Sequence, residues 1–130
     1  MIPSQELFDQ LMIACEDIGY NVYDHLPLQR ENAEYPFVVV GDTQQIPINY
    51  RTAMGGTFTI TLHVWAEGED RYLVAKMMER LARLGEQVII TDHFRFIGRL
   101  NQEDRQIITD TSVPDTVLKH GILTLVFNLG

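Results

Sequence analysis

Four histidines raise the first chemical question about this sequence. Two of them stand beside acids, in Asp24-His25 and Asp92-His93, and Glu103-Asp104 adds a further pair of carboxylates. Carboxylate and imidazole together can hold a divalent metal or pass a proton. His25, Asp92 and His93 are therefore the candidate set for a small metal-dependent hydrolase or a ligand-binding α+β domain. The spacing argues against that chemistry, because adjacent strand residues point to opposite faces and Asp92 and His93 can ligate together only across a bend. Read as polar residues of turns and strand ends, they need no further role. His63 and His120 fall inside strand-like runs and can meet across a sheet face, where a hydrogen-bonded surface pair is the plain reading.

Other routes to catalysis are equally thin. Gly55-Gly56 precedes a strand rather than a helix and no GK[ST] follows, so there is no phosphate loop. Neither Ser4 nor Ser112 stands in a G-x-S-x-G elbow. The lone Cys15 permits no internal disulfide and no all-cysteine metal site. Four residues after Leu11 and three before Ile18, it reads as a buried, inert thiol. The expectation is a protein that is not an enzyme, with no catalytic residue, no metal ligand and no cofactor.

Composition narrows the class further. With 130 residues, 45% of them hydrophobic and 22% charged, the chain reads as one domain, 1–130, able to bury roughly two thirds of its unfolded surface. The longest apolar runs, such as FVVV and VII, are strand-sized and far short of the ~18–20 residues that cross a bilayer. The opening MIPSQELFDQ carries acids and no Lys or Arg, unlike a secretory signal, so synthesis in the cytoplasm and no membrane partner are expected. A formal charge of −8, with ten basic residues spread along the chain, excludes a phosphate-backbone grip on nucleic acid.

The elements that must position these residues follow from periodicity. Residues 4–18 predict an amphipathic helix, capped by Ser4, striped by Leu7, Leu11, Ala14, Cys15 and Ile18, and stopped by Gly19. A short strand, NVYDH, and the loop LPLQRENAE lead through Tyr35-Pro36 to FVVVGDT, whose continuous apolar run predicts a strand covered on both faces. A second helix is predicted from about Glu69 to Leu84, with the stripe Leu73, Met77, Leu81 and Leu84, a surface pair Glu79–Arg83, and Gly85 as its stop. Three strand-like segments finish the chain: QVIITDHFRFIGRL, bending near Thr91-Asp92; RQIITDTSV; and TVLKHGILTLVFNLG. The order α-β-β-β-α-β-β-β predicts an α+β fold, a mostly antiparallel sheet with two helices packed on one face.

The strand FTITLHVW sharpens that picture. Phe58, Ile60, Leu62 and Val64 point one way, while Thr59, Thr61, His63 and Trp65 point the other. If both helices cover the first set, the second is open, and Trp is a residue type enriched where proteins meet. Between Gln44 and Gly56, QQIPINYRTAMGG breaks regular pairing with Pro47 and Gly55-Gly56 and predicts a protruding loop at about 44–56. It nevertheless carries Ile46, Ile48, Tyr50 and Met54, too apolar for a solvated loop, with Arg51 as its only basic residue. The candidate interface is therefore Ile46, Ile48, Tyr50, Arg51, Met54, Thr59, Thr61, His63 and Trp65.

Three segments carry a likeness. VYDHLPLQRENAEYPFVVVGDT, FTITLHVWAEGEDRYLVAKMMERLARL and LKHGILTLVFNL, in that order from about Ser4 to Leu129, resemble the tail-completion or tail-terminator proteins of long-tailed bacteriophages. The matching positions are Val22-Tyr23-Asp24 with Pro27, Tyr35-Pro36-Phe37-Val38 with Gly41, His63-Val64-Trp65, and Lys119-His120-Gly121. Ala66 departs from the family's usual Ser or Asp after the Trp, and the stretch from Val88 to Val113 matches only as generic strands. The resemblance implies a structural virion protein at the head–tail interface. It implies a ring, typically of six copies, at the head-proximal end of the tail tube, ending tube growth and docking the head's connector, with DNA passing through its lumen without specific binding. The partners implied are further copies of the chain, the tail tube protein and the head connector protein. Within the same class, a head-completion or stopper protein of the connector is the alternative.

Overall fold

Pro3 begins the first helix. In this computed structural model, which describes residues 2–27, 33–47, 56–68 and 70–130, α1 spans Pro3–Ile18. The proline lacks the N–H that a first-turn residue would leave unpaired, and Ile2 serves as N-cap with no side-chain hydrogen bond. The expected Ser4 cap is thus not used. Leu7, Leu11 and Cys15 are fully buried along one stripe, and Gly19 ends the helix in the left-handed region at φ 111°. Burial pushes the Cys15 thiol up to about 12, with help from the neighbouring Glu16 carboxylate, as suits an inert core sulfur.

Three strands follow: β1 (Val22–Tyr23), β2 (Phe37–Pro47) and β3 (Gly56–Glu67). β1 runs parallel to β2, and every other pairing among the described residues is antiparallel. Phe37 to Val40 are all buried, so this run is covered on both faces as its composition predicts. One extra residue between Val40 and Thr43 bulges β2, so that Val40 faces Leu62 while Thr43 faces Ile60. The hairpin continues further than expected: Gln44, Gln45, Ile46 and Pro47 pair with Thr59, Phe58, Thr57 and Gly56. These four belong to β2 rather than to the loop, because their backbone stays in register with β3. Ile48, Tyr50, Arg51 and Met54 lie outside the described residues.

Helix α2 (Arg71–Ala82) starts later than Glu69 because Asp70 caps it, accepting the Leu73 N–H at 3.1 Å. Met77 and Leu81 face the core as expected, with Val74, Met78 and Ala82 beside them. At Arg83 the helix tightens into a 3-10 turn, Arg83–Glu86, so Gly85 is inside that turn and is not the helix stop. The main partner of Glu79 is Arg105, whose Nη1 reaches it from the sheet at 2.6 Å, and Arg83 adds a weaker attraction.

The last third supplies β4 (Val88–Ile90), β5 (Arg95–Gly98), β6 (Asp104–Asp110) and β7 (Leu118–Leu129). The bend at Thr91-Asp92 separates β4 from β5, with Thr91 N–H donating to the Phe94 carbonyl at 2.9 Å. The sheet runs β1-β2-β3-β7-β5-β4, and β6 also pairs with β7. β3 and β7 are its spine, paired from Thr57↔Asn128 to Glu67↔Leu118. Both helices lie on the face carrying Phe58, Ile60, Leu62 and Val64, and Leu123, Leu125 and Phe127 join that core from β7.

Candidate functional site: the second face of the sheet

Register places on the opposite face Thr57, Thr59, Thr61, His63 and Trp65 from β3, opposed by Asn128, Val126, Thr124, Ile122 and His120 from β7. Polar groups here satisfy one another. Thr57 Oγ1 donates to Asn128 Oδ1 at 3.2 Å, and the hydroxyls of Thr61 and Thr124 are 3.3 Å apart. His63 Nδ1 lies 2.7 Å from His120 Nε2, so one ring donates and the other accepts. The His120 ring is sandwiched: it stacks on Trp65 with centroids 3.8 Å apart and planes at 12°, and on His63 at 5.0 Å and 28°.

Backbone and charge tune this stack. Gly41 makes room for it, since a Cβ there would sit 3.0 Å from the His63 ring. Partial burial depresses His63, with Asp42 pulling the other way. His120 is pushed down to about 4 by burial and by the facing His63, with Asp110 opposing. A hydrogen bond between the two rings needs the accepting one neutral, and both rings are shifted toward the neutral form.

The face is not uniformly open. Its Trp65 end is roofed: Phe37, Val39, Trp65 and Leu118 form a second buried cluster, with Tyr23, Ala33 and Val113 packed against it. Trp65 is only 8% exposed. The expectation of an open Thr/His/Trp face is corrected at this end, because residues flanking β2 and β7 fold over it. At the other end the face is uncovered among the described residues. Ile46 is 45% exposed, and register carries the face on through Ile97 and Val88 to Ile90, which is 70% exposed. These β4 and β5 residues were absent from the sequence-derived set. The signal was the alternation in VII, where Ile89 is buried between exposed Val88 and Ile90.

The acid–histidine pairs do not converge. His25 Nδ1 is 2.7 Å from Asp24 Oδ1, whereas His93 latches the β4–β5 turn to α1, its N–H donating to Glu6 Oε1 at 3.0 Å and its Nδ1 lying 2.8 Å from Glu6 Oε2. Among the described residues, no three His, Cys, Asp or Glu side chains are grouped to hold a metal.

No family model matches the chain. It is similar to the tail completion protein gp17 of Bacillus phage SPP1, with 31% identity over 100 residues spanning 73% of this chain and 68% of that protein. Among solved structures it is similar to a chain from the virion of a native gene transfer agent particle, with a TM-score of 0.59 at 12% identity, covering 98% of this chain and 94% of that one. A second solved chain gives a TM-score of 0.55 at 10% identity over 97% and 92%. At such identities these two likenesses show the fold alone. The identity with gp17 reaches further, and this chain belongs to the phage tail completion proteins.

Proposed function

We propose that this chain is the subunit of a ring that closes the head-proximal end of the phage tail tube, stops its polymerisation and offers the head connector a docking surface. Membership of the tail completion family carries this reading and makes the chain a structural component of the virion tail. The sheet supports it physically. With both helices on one face, the uncovered part of the other presents threonines and exposed isoleucines, a combination suited to a protein partner rather than to bulk water. The contact set is Ile46, Thr59 and Thr61, together with Ile48, Tyr50, Arg51 and Met54 from the segment between β2 and β3, while His63 and the largely buried Trp65 support it from beneath. Arg51 offers a salt bridge to the neighbouring copy or to the tube. A formal charge of −8 suits a lumen through which DNA slides without sticking.

Electron microscopy of tails assembled without this protein tests the proposal. Tubes of uncontrolled length that fail to join heads are expected. Tails of normal length that still join heads would overturn it.

A further inference from the structure

The ring reading leaves open which surfaces join one copy to the next, and the two longest unpaired edges of the sheet among the described residues answer that. β1 covers β2 only at Val38 and Val39, so the outer edge of β2 from Gly41 to Pro47 has no strand partner among the described residues. On the far side, β6 pairs with β7 alone, which leaves its outer edge from Asp104 to Asp110 without a strand partner among the described residues. Each free edge is seven residues long. β6 carries no proline and no bulge, two of the devices by which proteins blunt an edge that must stay single, and its charges lie at its ends.

We propose that the β6 edge of one copy pairs with the β2 edge of the next, so that a single sheet runs around the ring; this rests on the ring reading above. Three geometric facts carry it. The first is strand direction: β2 is antiparallel to β3, β3 to β7 and β7 to β6, so β6 meets a following β2 in antiparallel sense and the alternation never breaks. The second is polarity: the two edges differ and lie on opposite sides of the subunit, which makes the contact head-to-tail, the kind that closes rings.

Stagger is the third. Ile107 lies level with Gly121 and hence with Val64 on β3, whereas Thr43 is level with Ile60 and Gln45 with Phe58. Joining Ile107 to Thr43 or to Gln45 of the next copy keeps the helix faces together and steps four or six residues along the strands. At about 3.3 Å per residue that is roughly 13 or 20 Å, across four strand spacings totalling about 19 Å. The strand tilts that result are about 35° and about 45°, the span in which sheets close into barrels. A continuous sheet built from these edges thus needs no distortion of the subunit's own register.

Cysteine cross-linking tests the contact, since the native Cys15 is buried. Chains bearing Gln44→Cys are mixed with chains bearing Gln106→Cys or Ile108→Cys, assembled on tail tubes and gently oxidised. All three positions are exposed and share the second face; Gln106 meets Gln44 in the four-residue register and Ile108 in the six-residue one. Disulfide-linked dimers are expected from one of these mixtures, and little or none from either single variant alone or from Gln44→Cys mixed with Ile107→Cys, whose side chain lies on the other face. Rings visible by electron microscopy without a cross-link in either mixture, or with cross-links between identical variants, would overturn the edge pairing and leave the ring intact. Absence of any ring on the tubes would overturn both.

Discussion

Trp65 and His120 stack with centroids 3.8 Å apart and planes only 12° from parallel, directly opposed across the two spine strands of the sheet. The indole is held below by the imidazole and at its sides by Phe37, Val39 and Leu118, so its apolar surface is spent within the subunit. Trp65→Ala is expected to destabilise the free chain by ~3–5 kcal/mol, the usual cost of emptying an aromatic site. Thr59→Ala, on the uncovered part of the same face, should stay within ~0.5 kcal/mol of the parent in stability while weakening assembly. Urea unfolding of the two variants, with light scattering for assembly, separates these roles. A Trp65→Ala chain as stable as the parent would place the indole at an interface instead.

The same stack makes stability depend on pH. His120 has a folded-state value of about 4 against 6.5 for an unperturbed imidazole, and His63 is depressed as well. As pH falls, the unfolded chain therefore takes up protons before the native one. The stabilisation is complete above about 6.5 and drains away as pH drops toward about 4. A second proton would also turn the His63–His120 hydrogen bond into two N–H groups facing each other, and Asp42 and Asp110 offset only part of that cost. The urea midpoint should fall between pH 7.5 and pH 5. His120→Phe, which keeps a ring against Trp65, should fall less. Equal falls in the parent and this variant would show that other groups govern the slope.

How much of this was legible in the sequence depends on what kind of signal each feature left. Phe58 to Val64 and Leu123 to Phe127 alternate without a break, and alternation alone fixes which residues go inward, so the spine strands and the helix-covered face could be read directly. The same parity set Trp65 opposite the core, but parity says only which face a residue occupies and nothing of what lies over it. Ala33 and Val113, which pack on that end, belong to irregular segments with no period to read. The motif positions used to recognise the family turn out to meet in space: Gly41 against His63, and His63 and Trp65 against His120. Gly85 misled because glycine near a helix end usually marks a left-handed stop, whereas here it is buried against Leu125.

Glycines elsewhere predict a graded pair of substitutions. A Cβ at Gly98 would collide with the backbone carbonyl of Gly85 and lie 2.9 Å from that of Gln87, where neither neighbour can rotate aside. At Gly121 the obstacles are the Met78 sulfur at 2.5 Å and a Val74 methyl at 2.8 Å, and the thioether is flexible. Gly98→Ala should therefore cost toward the upper end of ~1–3 kcal/mol, and Gly121→Ala toward the lower end. Thermal melts of both variants test the ranking, and a reversed order would mean that the backbone around Gly85 shifts more readily than the core around Met78.

The outer edge of β2 provides the last prediction. Among the described residues its backbone between Gly41 and Pro47 pairs with β3 alone, so those amides that point away from β3 have no strand partner there. Amides of β3 and β7, paired on both sides for most of their length, should exchange only on global opening. In the free chain, hydrogen exchange is expected to be fast at alternate positions from Gly41 to Ile46, and slow at Ile60 to Val64. On assembly with tail tubes the β2 edge and the 48–55 segment should gain protection together with β6, from Asp104 to Asp110, while the spine stays unchanged. Protection of the hairpin without protection of β6 would mean that the loop docks on the tube alone. Unchanged exchange at both edges, in rings seen to be assembled, would leave the threonine face as the sole contact.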